Sequence, residues 1–276
     1  EVSNGIINIE GGIESVVDWE TVENSYSYYV DGNQGSGSGV NGISRSAAAL
    51  VAELVMKVDS EYNFKDFDGN DDGDLDCVVL IVEGLGNGDN DQFWPHASFI
   101  QSGMNGISAI NQNAPTDNNG YLSLDGVSIK KYIVITEQFH MNYFELSKND
   151  IYPIGTLAHE IGHAIGLPDL YDTSENSASG IGEWGLMGSG NWNRQTSPAY
   201  MSVWSRKKLG IVKPLVIESI NDIDELLLNP IDDLDLSTML LPINSHMPQE
   251  YILLENRQKS GSDQYLKESG MLIWHI

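Results

Sequence analysis

Two histidines, a glutamate and an aspartate fall close together in His159-Glu160-Ile161-Gly162-His163-Ala164-Ile165-Gly166-Leu167-Pro168-Asp169. On a helix, residues four apart share one face, about 40° from each other. His159 and His163 would therefore present two imidazoles side by side, each able to give a nitrogen to zinc at about 2.0–2.1 Å. Glu160 lies next to them, suited to take a proton from a water held by the metal. A third protein ligand is needed. Gly166 can adopt the left-handed conformation that ends a helix, and Pro168 bars the helix from resuming. Asp169 is then free to swing back toward the ion. Two histidines, one carboxylate and one open position make a catalytic arrangement, whereas a structural zinc site is closed by four protein ligands.

Glu183 competes with Asp169 as third ligand but does not explain the Gly-Leu-Pro-Asp exit; Asp172 and His275 are more remote alternatives. The bland reading, a buried helix with two hydrogen-bonded histidines, is weaker. H-E-x-x-H arises by chance in roughly one such chain in a hundred, and adding Gly166 and Asp169 makes it about one in ten thousand.

A second cluster, Asp68-Gly69-Asn70-Asp71-Asp72-Gly73-Asp74-Leu75-Asp76, meets the first part of the D-x-[DN]-x-[DN]-G calcium pattern. Val79 stands where the bidentate glutamate would be, so a complete EF-hand is excluded. The expectation is a calcium loop built on Asp68, Asn70, Asp72, Asp74 and Asp76, completed by Asp66 or a distant carboxylate. A polar turn is the alternative. His96, beside Trp94 and Pro95, reads as a packed corner, and His140 has no specific role.

The elements that must position these residues are legible in part. Ser44–Val58 reads as a helix with an apolar stripe through Ala48, Val51, Ala52, Val55 and Val58. Cys77–Val82 is a continuous apolar run, expected as a strand buried on both faces. Tyr132–Thr136 is a second strand. Ile154–Leu167 is the motif helix, with Ile154, Leu157, Ala158, Ile161 and Ile165 opposite the histidines. A further helix is expected over Ala199–Leu209, and strands over Tyr251–Leu254 and Met271–Trp274. Residues 1–42 read as short strands and turns, and 84–120 as loops.

At 276 residues the chain can bury a large core. Its net charge of −26 repels phosphate backbones and anionic lipid, against nucleic-acid or membrane-surface roles. Cys77, the single cysteine, allows no internal disulfide and reads as a small core residue. No run approaches the ~18 apolar residues of a membrane span.

Beyond the residue chemistry, H-E-x-x-H-x-x-G-x-x-D resembles the metzincin motif, with Asp169 in place of its third histidine. Trp184-Gly185-Leu186-Met187-Gly188-Ser189-Gly190 looks like the methionine turn of those enzymes. Ser189 stands where many metzincins place a tyrosine, so an oxyanion-stabilising tyrosine is not assigned. More closely, the chain resembles the immune inhibitor A family of secreted bacterial metallopeptidases, through HEIGHAIGLPDLYD (159–172), EWGLMGSG (183–190), FWPH (93–96) and GMLIWH (270–275). The resemblance implies a secreted enzyme made as a precursor, its signal peptide and pro-segment outside this chain.

The expected fold is α+β and metzincin-like, with a twisted mixed sheet, an active-site helix and a β-rich C-terminal part. Residues 1–153 would form the upper subdomain, with the calcium loop. Residues 154–276 would form the lower one, with the active-site helix, the methionine turn and a β-rich end read as truncated. The expected function is zinc-dependent endopeptidase action on extracellular proteins by a monomer, through a zinc-held water activated by Glu160. The rivals are a zinc aminopeptidase or other zinc hydrolase, a structural zinc domain, and a non-catalytic module retaining the fold.

Overall fold

Where short polar residues meet apolar runs, this chain starts and stops its elements. Ser46 accepts a hydrogen bond from the Ala49 amide at 3.2 Å and so caps a twelve-residue helix, Ala47–Val58. The computed structural model describes residues 13–37, 45–86, 89–101, 116–117, 120–139, 154–174, 178–194, 197–217, 227–233, 236–243 and 250–276. They fall into two compact units, one drawn from 11–153 with 163–166, the other including 154–162 and 167–276. The architecture is mixed α and β, with few helices and several sheets.

In the first unit, helix α1 (Tyr26–Val30) precedes α2 (Ala47–Val58). Strand β1 (Val78–Gly86) and strand β2 (His96–Phe99) flank the later strand β6 (Lys131–Phe139) in the order β1-β6-β2. β1 runs parallel to β6 and β2 antiparallel, so the sheet is mixed, as expected. A small antiparallel sheet joins β3 (Thr116–Asp117), β4 (Gly120–Leu122) and β5 (Ser128–Ile129). Ala48, Val51, Ala52 and Val55 of α2 share a core with Tyr132 and Val134 of β6.

Three expectations need correction here. β1 is not buried on both faces: Val79 and Ile81 are 45% and 49% exposed, and burial alternates along the strand. It pairs with β6 alone among the described residues, and an edge strand need not cover both faces. The stretch 84–120, read as loops, contains the end of β1, all of β2 and β3, because pairing of β1 and β2 with β6, and of β3 with β4, overrides the Gly/Asn-rich composition. Residues 13–37 hold a 3₁₀ turn (Ile13–Ser15) and α1 where short strands were expected. Residues 1–12 and 38–44 lie outside the described residues.

Helix α3 (Ile154–Ala164) carries the histidines, with its residues 154–162 grouped in the second unit, where helix α4 (Val203–Lys208) follows. Ser202 caps α4 by accepting from the Ser205 amide, which starts it later than the expected Ala199. Strands β7 (Leu215–Val216), β8 (Thr238–Pro242), β9 (Tyr251–Arg257) and β10 (Gly270–His275) form one sheet in the order β10-β9-β8-β7. The β-rich C-terminal part is therefore present. Leu253 of β9 packs with Val203, Ile211 and Val212. Beside it lies a charged cluster with no exposed member: Arg206, Glu255, Arg257 and Asp263. No helix among the described residues is long and apolar enough to cross a membrane.

Candidate metal centre

Helix α3 stops at Ala164, three residues short of the expected Leu167. The stop is a Schellman motif. The Gly166 amide donates to the His163 carbonyl and the Leu167 amide to the Gly162 carbonyl, both at 2.9 Å. Gly166 takes the left-handed conformation this requires, with φ 95°. Leu167 then buries its side chain with Leu186 and Met187, and Pro168 keeps the helix from resuming. The Leu170 amide donates to the Met187 carbonyl at 2.8 Å, fixing the chain just past Asp169.

This exit turns Asp169 back onto the helix. One ligand atom from each of His159, His163 and Asp169 lies within 4.8 Å of the other two. His159 Nε2 and Asp169 Oδ1 are 3.1 Å apart. Ligands bound tetrahedrally at about 2.0–2.1 Å sit roughly 3.3 Å from each other, so this spacing suits one small cation. His159 Nδ1 lies 2.8 Å from the Leu186 carbonyl. A carbonyl can only accept, so Nδ1 carries a proton and Nε2 is the nitrogen left facing Asp169, the usual outer support of a metal-bound imidazole. Glu160 is 6% exposed on the same helix.

The buried residues of α3 are Gly155, Thr156, His159, Glu160 and Gly162. This corrects the expected apolar stripe, since Ile154 is 58% exposed. The histidine side is the buried one because the methionine segment lies against it. A Cβ on Gly162 would sit 2.5 Å from the Met187 sulfur, and Met187 is fully buried. Glycine at Gly190 has a similar reason, for a Cβ there would lie 2.6 Å from the Gly185 carbonyl oxygen. The usual gain of about 1 kcal/mol from glycine to alanine within a helix is therefore reversed at Gly162. Overpacking costs about 1–3 kcal/mol, and Gly162→Ala is expected to lower the melting temperature in thermal unfolding followed by circular dichroism.

Glu183 is elsewhere. Its carboxylate pairs with Lys267 at 2.8 Å. Asp172 accepts from the Ser174 amide, which with the Ser174 hydroxyl holds its carboxyl below the ordinary range. His275 contacts Glu250 at 3.0 Å. Sequence reasoning missed Tyr171. Its phenol is raised above the ordinary range by partial desolvation and then by the Asp169 carboxylate, to which it hydrogen-bonds, with Glu160 adding. Its place two residues after Asp169 was the available signal.

The acidic loop is a turn closed on itself. The Asp68 carboxylate accepts from the Asp72 and Gly73 amides at 3.1 and 2.8 Å. Asn70 donates to Asp72 at 2.9 Å, and Asp74 pairs with Lys130 at 2.5 Å. Asp76 joins none of these contacts. Among the described residues the only group of three or more His, Cys, Asp or Glu side chains gathered for a metal is His159, His163 and Asp169. The calcium expectation thus finds no support among the described residues, where Asp68 and Asp72 turn to amides of their own loop and Asp74 to Lys130. His96 is a packed corner, bonded to the Trp94 carbonyl and the Tyr132 hydroxyl, and burial lowers its pKa. Burial likewise pushes the Cys77 thiol up to about 12, as suits an unreactive core residue. His140 lies outside the described residues.

The helix and its exit gather a set of side chains that could hold a metal ion. Residues 1–211 match the catalytic domain of the immune inhibitor A peptidase M6 family, and the chain belongs to that family. It is also similar to the pre-pro-metalloprotease PrtV of Vibrio cholerae serotype O1, in two strains, at 24% identity over 216 residues and 69% of this chain. The chain spans 21% of the length of those relatives. Family membership makes the domain a metallopeptidase and implies a metal.

Proposed function

We propose that the domain is a zinc endopeptidase whose ligands are His159, His163 and Asp169 and whose general base is Glu160. The observation that carries the reading is the convergence of the three donors on one point. A set of two imidazoles and a carboxylate suits zinc better than a hard cation, which prefers oxygen alone. Zinc bound there would supply the Lewis acidity that makes water nucleophilic near neutral pH and polarises the scissile carbonyl. Glu160 takes the proton of the attacking water and delivers it to the leaving amine nitrogen. The Leu186 carbonyl holds the His159 tautomer, Asp169 completes the donor set, and Met187 supports the helix from below.

The substrates on this reading are extracellular proteins or peptides, and the enzyme is secreted; the pre-pro designation of the Vibrio relatives supports this. Residues 1–153 and 154–276 would serve as upper and lower subdomains. Zinc-loaded protein should cleave an internally quenched peptide blocked at both ends, lose that activity to a chelator, and regain it with zinc. Cleavage only of peptides with a free amino terminus would replace this reading with aminopeptidase action. No hydrolysis by the zinc-loaded chain would sink it.

A further inference from the structure

The family match ends at residue 211, yet a side chain well beyond it reaches the segment that supports His159. Arg257, the last residue of β9, is completely buried. Its Nε and Nη2 donate to the two carboxylate oxygens of Asp263 at 2.5 and 2.6 Å. Its Nη1 donates to the Trp184 carbonyl at 2.5 Å, directly before Gly185, Leu186 and Met187. Asp263 makes a second link, accepting from the Tyr200 amide at 3.0 Å. The Tyr200 carbonyl in turn accepts from the Leu186 amide at 3.2 Å.

Two routes therefore lead from one buried ion pair to the two peptide units that flank Gly185, one through Trp184 and one through Tyr200, directly before the Leu186 carbonyl. The Leu186 carbonyl accepts the His159 Nδ1 proton at 2.8 Å. Burying a guanidinium is expensive, and apolar residues often stabilise a core as well or better. A planar fork, however, can hold a carboxylate with one edge and a carbonyl with the other, fixing their separation in a way apolar packing cannot.

We infer that Arg257, clamped by Asp263, is a positioning residue for the metal centre, setting through Trp184 and Leu186 the tautomer and aim of the His159 imidazole. The inference rests on reading His159 as a metal ligand, but its first test needs no metal. In metal-free full-length chain with isotope-labelled histidine, the His159 ring-nitrogen signals, assigned by their loss in His159→Gln, should report one ordered ring with its Nδ1–H hydrogen-bonded. Arg257→Met should give averaged shifts. Arg257→Lys, which keeps the charge but cannot span Asp263 and Trp184 together, should give an intermediate mixture. Leu253→Ala is the control: it opens the neighbouring core with Val203, Ile211 and Val212, removes none of the hydrogen bonds above, and should leave His159 unchanged even where it lowers the melting temperature.

In cobalt-substituted protein, both Arg257 variants should bind the ion about 10–100-fold more weakly, the usual effect of losing an outer partner, with shifted visible bands. Unaltered His159 shifts in both folded Arg257 variants would overturn the inference whatever the metal does. Failure of wild-type chain to bind zinc or cobalt would count instead against the proposed function. Should Arg257→Met not fold, Arg257→Lys and Asp263→Asn carry the same comparison.

Discussion

Glu160→Gln is expected to lower kcat for peptide hydrolysis by about 10²–10⁴-fold, the contribution of a positioned general base, while the protein still binds one zinc. The amide keeps the shape and much of the polarity of the carboxylate, so the buried position on α3 stays filled. What it cannot do is accept the proton of the attacking water. KM should change little, because the lost interaction is made in the transition state and not on binding. Steady-state kinetics with zinc content measured on the same sample checks the prediction. Wild-type kcat in a variant with full zinc would remove Glu160 from the mechanism, and lost zinc would make it part of the metal-holding structure.

The second large effect concerns the third ligand. Asp169→Ala is expected to weaken zinc binding by more than about 10²-fold, since even outer partners of a metal ligand are worth 10–100-fold. Glu183→Gln is expected to leave it unchanged, as Glu183 is already paired with Lys267. The asymmetry follows from geometry, because Asp169 Oδ1 stands 3.1 Å from His159 Nε2. Competition titration against a chromogenic chelator measures both constants. Equal losses in the two variants, or loss in Glu183→Gln alone, would transfer the role to Glu183.

How much of this was legible in the sequence depended on the range of the cause. The i, i+4 pairing of His159 with His163 and the stop at Gly166 and Pro168 arise within one helical turn and its exit, so residue types at fixed spacing disclose them. The methionine segment was legible only by resemblance, because its support of α3 depends on Gly162 approaching Met187 across the fold. The exposed face of β1 was not legible: Val79 and Ile81 are as apolar as their buried neighbours, and only strand order decides which side is covered. The acidic loop is ambiguous for another reason. Aspartates that accept from amides two to five residues on give the same composition and spacing as a calcium loop. Tyr171 offered only its place two residues after Asp169, and Arg257 carries no local pattern at all; each matters through its partner in space.

The Schellman exit of α3 also bears on the order in which the site assembles. All three donors fall within 159–169, so gathering them requires a nascent helix and one turn, at little cost in chain entropy. The hydrogen bond from Arg257 to the Trp184 carbonyl spans 73 residues, and β9 must also find β8 and β10. Contacts of long span are slow to form because their loops are costly to close. On the proposed reading, metal capture and metal alignment are then separable in time.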